Sequence, residues 1–318
     1  MRMRAKCGAV AACLALLAPL AAAQDYPVKT VRLLTSGPGG NGDITARLLA
    51  QGLAPRLKQQ VIVDNRPSGF TPGEVVSRAA PDGYTLLVLG STHWLGSLLY
   101  KLPFDAVKDF APITQVTSTP NILLVSPSLP VKSVAELLAL AKSKPGTLNF
   151  GATGSGSSNH LAAELFKYMA GIDIVHIAYK SNPSAMADLM SGVIQISFPT
   201  AAAAGPLIRS GKVKALAVTG PESSPQFPDL PTVSAAGVPG YESESPIGIL
   251  APAKTPEAII TRLYKEAVQV IQEPAIKAKL AGLGAETIGS TPAQFAEKIN
   301  AEVARMSKVI KAAGIRAD

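Results

Sequence analysis

The sequence predicts an α/β protein of two lobes around a cleft, each lobe a mainly parallel sheet flanked by helices. Three observations carry this. From Lys29 to Gly90, short apolar runs alternate with stretches of helical period, the pattern of strands joined by helical crossovers. A second series of the same kind runs from Asn121 to Gly220. Residues 220–246, rich in proline, glycine and serine, read as a long surface excursion before one more apolar run, and strands near Pro120 and Ile247 are placed to pass between the two series.

The elements follow in order. VRLLT (31–35) reads as a strand, and the helix from Asp43 to about Leu57 puts Ile44, Leu48, Leu49, Leu53 and Leu57 on one stripe, as a helix packed on a sheet requires. VIVD (61–64), a short helix near Gly73 to Ala80, and YTLLVLG (84–90) complete the first series. The second comprises NILLVSP (121–127), a helix from Ser133 to about Lys142, LNFGA (148–152), a helix from Ser158 to Ala170, DIVHIAY (173–179), a helix opened by Asn182-Pro183, VIQISF (193–198) and VKALAVTG (213–220). Ser133, one of Ser157, Ser158 or Asn159, and Asn182 supply the caps. After IGILAP (247–252), two helices open at Thr255-Pro256 and Thr291-Pro292. The expected division is 24–120 with 247–318 in one lobe and 121–246 in the other.

The first residues have a separate purpose. Arg2, Arg4 and Lys6 form a basic head, an apolar run continues to Leu20, and Ala21-Ala22-Ala23 offers a small-residue cleavage site before Gln24, so residues 1–23 read as a secretory leader. The run is too short for a bilayer span of ~20 apolar residues. Both cysteines, Cys7 and Cys13, lie inside the leader, so the exported chain has no disulfide, thiolate nucleophile or cysteine-bound metal. Composition is that of a folded globule, 47% hydrophobic and 16% charged. Three of the 30 basic residues leave with the leader, and the rest are a scattered excess over 22 acidic ones. Nucleic-acid binding therefore finds no basic patch, and mild attraction of anions is what the charge supports.

Two glycine-rich loops each leave a strand and enter a helix: GPGGNGDI (37–44) and GATGSGSSNH (151–160). Such a loop aims backbone N–H groups and a helix dipole at one point and suits an anion. The hydroxyls of Thr153, Ser155, Ser157 and Ser158 add neutral donors, and neither loop carries Lys or Arg, which fits a small carboxylate better than a polyphosphate. The first loop also matches the dinucleotide fingerprint at Gly37, Gly39 and Gly42, with Asp64 about twenty residues on. The Walker pattern fails, because Asp43 and Ile44 stand where Lys and Ser or Thr are needed.

Catalytic sets are not evident. His93, His160 and His176 show no metal-binding spacing, and no nucleophile elbow is present. His176 reads as a core residue and His160 as a packing residue, whereas His93 and Trp94, just after a strand, are candidates to line the cleft. Glu242 and Glu244 read as solvated carboxylates.

Over nearly its whole length after the leader, the chain resembles the Bug family of periplasmic solute receptors, the binding components of tripartite tricarboxylate transporters. The residues that carry the resemblance are Tyr26-Pro27, Gly39-Gly40 with Asp43 and Arg47, NRP (65–67), APDGYTLL (80–87), Leu102-Pro103-Phe104-Asp105 with KDFAP (108–112), SVAELLALAK (133–142), HLAAELF (160–166), HIAYK (176–180), ALAVTG (215–220) and PDLPTVSAAGVPGYE (228–242). The resemblance implies a two-lobed periplasmic binding protein of the Venus-flytrap kind that performs no chemistry. It uses no cofactor or metal, clasps a small organic acid between its lobes, and serves membrane permease subunits as a monomer. Carried over residue by residue, it places Gly39, Gly40 and Asp43 on one jaw and Thr153, Ser157 and Ser158 on the other, with Thr92 and Thr200 as further lining residues. Asp43 is expected to fix its loop, since a carboxylate repels an anionic ligand.

Four positions depart from the family pattern. Thr35-Ser36-Gly37 replaces a Pro-Phe-Pro run, Pro199 stands where Asp often follows Phe198, Pro246 stands near a usual Trp, and the loop after NRP is short. All four lie at loops around the expected cleft.

Overall fold

The computed structural model describes residues 26–66, 70–153 and 156–315. The leader expected at 1–23 lies outside the described residues. Eleven strands and ten α-helices, with a 3-10 turn at Gly96–Leu98, follow one another among them: β1 (Val31–Thr35), α1 (Asn41–Leu57), β2 (Val61–Asn65), α2 (Thr71–Ser77), β3 (Thr85–Gly90), α3 (Ser91–Leu95), β4 (Phe110–Ser118), β5 (Ile122–Val125), α4 (Val134–Ser143), β6 (Asn149–Thr153), α5 (Ser158–Ala170), β7 (Val175–Tyr179), α6 (Asn182–Ser191), β8 (Ile196–Ser197), α7 (Ala201–Arg209), β9 (Lys214–Val218), β10 (Ile247–Pro252), α8 (Glu257–Gln272), α9 (Pro274–Gly282), β11 (Glu286–Thr287) and α10 (Pro292–Ala313).

The strands form two sheets, in the orders β11-β4-β10-β3-β1-β2 and β7-β6-β8-β5-β9. β1 pairs in parallel with β2 and β3, and β6 in parallel with β7 and β8. The remaining pairings are antiparallel, so the sheets are mixed where the sequence predicts mainly parallel ones. The reason lies in the connections: β4 leads out of the first sheet, β10 comes back into it from the second, and each runs against its neighbour.

The chain passes between the sheets twice, and the two passages are hydrogen-bonded to each other. Ser245 N–H donates to Thr119 O at 2.8 Å and Thr119 N–H to Ser245 O at 3.3 Å. Beside them the Thr219 hydroxyl, whose oxygen accepts from Asn121 N–H at 2.7 Å, lies 2.6 Å from Ser243 O. α10 lies along this junction, packed on β4 and α3 and also on α5.

Packing follows the sequence pattern. Leu48, Leu49, Leu53 and Leu57 of α1 are buried against Leu33, Leu86 and Val88 of the first sheet, each leucine contributing ~1.5–3 kcal/mol through removal from water. Gly52 lets α1 approach α8 closely, because a Cβ there would come within 2.4 Å of Val270 Cγ1. The excursion at 220–246 is anchored, with Val233, Val238 and Tyr241 buried and the Tyr241 ring edge-on to Phe166 of α5.

Helix starts differ in detail from expectation. Ser133 caps α4 and Thr291 opens α10 with a capping box to Gln294. For α6 the cap is Ser181, whose hydroxyl oxygen accepts from Ser184 N–H, and Asn182 is already inside the helix. α8 begins after Pro256, while the Thr255 hydroxyl donates to Pro252 O at 2.8 Å.

Candidate functional site

The loop between β1 and α1 is built around Asp43. Gly39 takes φ +85°, a conformation open to glycine, and its N–H donates to Asp43 Oδ2 at 2.9 Å. Asn65 Nδ2 donates to Asp43 Oδ1 and to Ser36 O, both at 2.8 Å, and Arg47 Nε lies 3.0 Å from Asp43 Oδ1. Burial alone pushes this carboxyl up, but the bonds from Gly39, Arg47 and Asn65 together hold it below the usual carboxylate range. Asp43 thus commits Oδ2 to the loop and Oδ1 to Asn65 of β2 and Arg47 of α1, which ties the junction together. Gly40 is the N-cap of α1 and brings no side chain, so the first-turn amides have no side-chain cap.

The β6–α5 loop has a comparable design with neutral groups. Ser157 is the N-cap of α5, yet its hydroxyl does not cap the helix. It lies 2.7 Å from Thr153 O and 2.5 Å from Asn159 Oδ1, and its single proton serves one of them at a time. Thr153 Oγ1 donates to the same Asn159 Oδ1 at 3.1 Å, and Asn159 Nδ2 donates to Asn182 Oδ1 at 2.9 Å, joining the starts of α5 and α6. Ser157 thus leaves the first turn of α5 without an N-cap bond, although Asn159 Oδ1 accepts from His160 N–H at 3.0 Å, and the amides of Ser158 and Asn159 remain the ones a helix N-terminus would offer to an anion.

Thr92 is exposed in the first turn of α3, and Thr200 is the N-cap of α7 beside the passage at Asn121, again with no side-chain cap bond. The eight expected residues therefore sit at four strand-to-helix junctions, β1–α1, β3–α3, β6–α5 and β8–α7.

A narrow crevice with about 10 Å³ of free space, room for roughly one water, brings two of these junctions face to face. Ser91 and Leu95 of α3 stand on one wall and Ser158 and Leu161 of α5 on the other, with Ser243, Glu302 and Arg305 alongside. The loop at Gly39 and Gly40 is not part of this lining. Ser91, Ser243, Glu302 and Arg305 are residues that sequence reasoning missed. The hydrophobic stripe of α10 marks its buried face and gives no sign that polar positions beside it border a cleft.

Two expectations are corrected. His93 and Trp94 do not line the cleft: both are 1% exposed. His93 lies between Phe104 and Phe110 under α2, and burial lowers it to about 4. Trp94 points to α10, where its Nε1–H donates to Glu302 Oε2 at 2.8 Å. Glu244 is not solvated either, since its side chain is 9% exposed and pairs with Lys298 Nζ at 2.7 Å; Lys298 also reaches Glu242 Oε1 at 3.4 Å.

Asp64, at the ribose position of the dinucleotide fingerprint, is paired with Arg32 and with Arg66. Burial pushes its carboxyl up, and these arginines more than reverse that. Among the described residues no group of His, Cys, Asp or Glu is placed to hold a metal ion, and no helix is long and apolar enough to cross a membrane.

Two α/β sheets joined by paired passages, with uncapped helix starts gathered at the junctions, define a two-lobed solute-binding protein. Residues 45–315 match the family described as "Tripartite tricarboxylate transporter family receptor", and the chain belongs to that family. It is 32% identical to "Protein BugT" of Bordetella pertussis over 321 residues, covering 99% of this chain and 98% of that one. A structure titled "R. palustris Rpa4515 with adipate" is 35% identical with a TM-score of 0.74, covering 92% of this chain and 100% of that one. A second, "MatC (Rpa3494) from Rhodopseudomonas palustris with bound malate", is 29% identical with a TM-score of 0.71, covering 90% of this chain and 100% of that one. The resemblance drawn from the sequence motifs is thus borne out.

Proposed function

We propose that this protein is an extracytoplasmic receptor that closes on a small organic carboxylate and hands it to the permease subunits of a tripartite tricarboxylate transporter. The observation that carries the reading is that the strand-to-helix loops at Gly40 and Ser157 each start a helix whose N-cap residue makes no side-chain cap bond, and that they offer amides and hydroxyls and no cation. Such donors suit one or two carboxylates. The adipate and malate named with the two R. palustris structures agree with this ligand class.

In this reading residues 24–120 with 247–318 form one jaw and 121–246 the other, and residues 1–23 are removed on export to the periplasm. Gly39, Gly40 and Thr92 serve the ligand from the first jaw, and Thr153, Ser157, Ser158 and Thr200 from the second. Asp43 acts by shaping the first loop. The protein works as a monomer and turns nothing over, its affinity resting on preorganised donors and closure of the jaws.

The test is a thermal-shift screen of residues 24–318 against adipate, malate, aromatic carboxylates and NAD. A ligand at a hundredfold over its dissociation constant stabilises by ~2.7 kcal/mol, a clear rise in Tm. A rise with a small carboxylate and no turnover of it supports the receptor; a rise with NAD alone, or steady turnover, overturns it.

A further inference from the structure

The β6–α5 loop is held from behind by an imidazole. Gly156 takes φ +83°, and its N–H donates to His160 Nδ1 at 3.2 Å. A Cβ at Gly156 would come within 2.5 Å of Leu99 Cδ1, a side chain that follows α3 on the opposite wall. Gly156 is therefore the point at which this loop rests against the other side of the cleft, and its amide hydrogen is directed inward to His160. His160 is 3% exposed, two residues beyond Ser158. Its ring stacks on His176 of β7 at 4.3 Å between centroids and on Phe150 of β6 at 6.3 Å. Its Nε2 lies 3.9 Å from Glu164 Oε1 on its own helix, and Lys167 stands near that carboxyl. Among the described residues, Glu164 and His176 are titratable groups that face the ring, with Lys167 near the Glu164 carboxyl.

A nitrogen that accepts from a backbone N–H carries no proton, so Gly156 selects the neutral His160 tautomer with its hydrogen on Nε2, toward Glu164. We propose that His160 is the positioning residue of the ligand loop: its unprotonated Nδ1 holds Gly156 in the turn that presents Ser158 to the cleft. A proton on Nδ1 sets donor against donor and releases the turn. Ligand grip is then strong when the imidazole is neutral and weakens as it becomes charged. The inference rests on the reading that this loop holds the ligand, but the lock itself is a property of the free protein.

Two variants and two readouts test it. Asn at position 160 puts an amide oxygen close to where Nδ1 stands and does not titrate, whereas Ala has no acceptor. Long-range proton–nitrogen correlation spectra of the mature protein should show the Nε2–H tautomer at about pH 8, above the ordinary histidine range. The hydrogen-exchange protection of the Gly156 amide should drop about fivefold, the worth of one hydrogen bond, in His160→Ala. It should fall likewise in the wild type as His160 titrates, and persist at every pH in His160→Asn. Adipate and malate, titrated calorimetrically, should follow the same order of affinity if either binds. Binding by neither would count against the carboxylate reading alone, since exchange and tautomer still decide the lock. An Nδ1–H tautomer, or Gly156 protection indifferent to His160→Ala, would overturn the proposal.

Discussion

Trp94 and Glu302, 208 residues apart in sequence, are joined by a 2.8 Å hydrogen bond from the indole N–H to the carboxylate. The bond fixes α3, which carries the cleft residue Ser91, to the middle of α10. Burial raises the Glu302 carboxyl to about 7, while the Trp94 bond and the cations Arg305 and Lys298 pull the other way. The folded state thus holds an extra proton between the ordinary value of 4.5 and about 7.

The stability from this group is therefore complete below the ordinary glutamate range and is lost as pH rises through about 7. Urea unfolding should show the wild type losing on the order of 2 kcal/mol relative to Glu302→Gln between about pH 5 and pH 8. A difference independent of pH would show that Glu302 is as well solvated as a surface carboxylate.

Lys298 neutralises two carboxylates of the returning passage, Glu242 and Glu244. Lys298→Met should cost about 2 kcal/mol, because it leaves the 9%-exposed Glu244 side chain without its partner. Adding Glu244→Gln should recover part of that loss. Additive effects in a double-mutant cycle would mean that the pair is not coupled.

Gly52→Ala should destabilise by about 1–2 kcal/mol although alanine is the better helix former, since the new methyl would overlap both Val270 methyl groups, at 2.4 and 2.8 Å. Val270→Ala in the same chain should relieve the clash. Thermal melts of the two single variants and the double variant decide it.

The paired serines should separate by role. Ser158 borders the cleft, whereas the Ser157 hydroxyl is bound within its loop. Ser158→Ala should weaken ligand binding by about fivefold with Tm unchanged, and Ser157→Ala should lower stability by about 1 kcal/mol as well. Unchanged affinity in Ser158→Ala would remove it from the site.

Much of the fold was legible in the sequence where local chemistry and long-range packing agree. α5 spans the expected Ser158–Ala170, and α10 opens where Thr291-Pro292 predicts, with a capping box to Gln294 that the structure adds. β4 was recognised only as a passage near Pro120, because its mixture of Thr, Gln and apolar residues has no clean period; burial between β10 and β11 makes it a strand. His93 was misplaced because the position just after β3 says nothing of the Phe104 and Phe110 rings that close over it. The loops of the site were visible as glycine-rich strand-to-helix junctions. The contribution of α10 was not, since Glu302 and Arg305 reach the cleft only through tertiary packing.

The ladder between Thr119 and Ser245 acts as the spine of a book. A motion that parted the two sheets about the paired passages would concentrate its torsion changes there, so that positions beside the ladder move little while points farther out sweep a longer arc. Gly156, touching Leu99 across the gap, reports on that arc directly. A spectroscopic label pair at the exposed positions 100, beside Leu99, and 168, on α5, would register opening as a change in distance, and a pair at 119 and 245 would stay nearly constant. With both native cysteines at positions 7 and 13, a chain from Gln24 onward would carry such labels on a cysteine-free background.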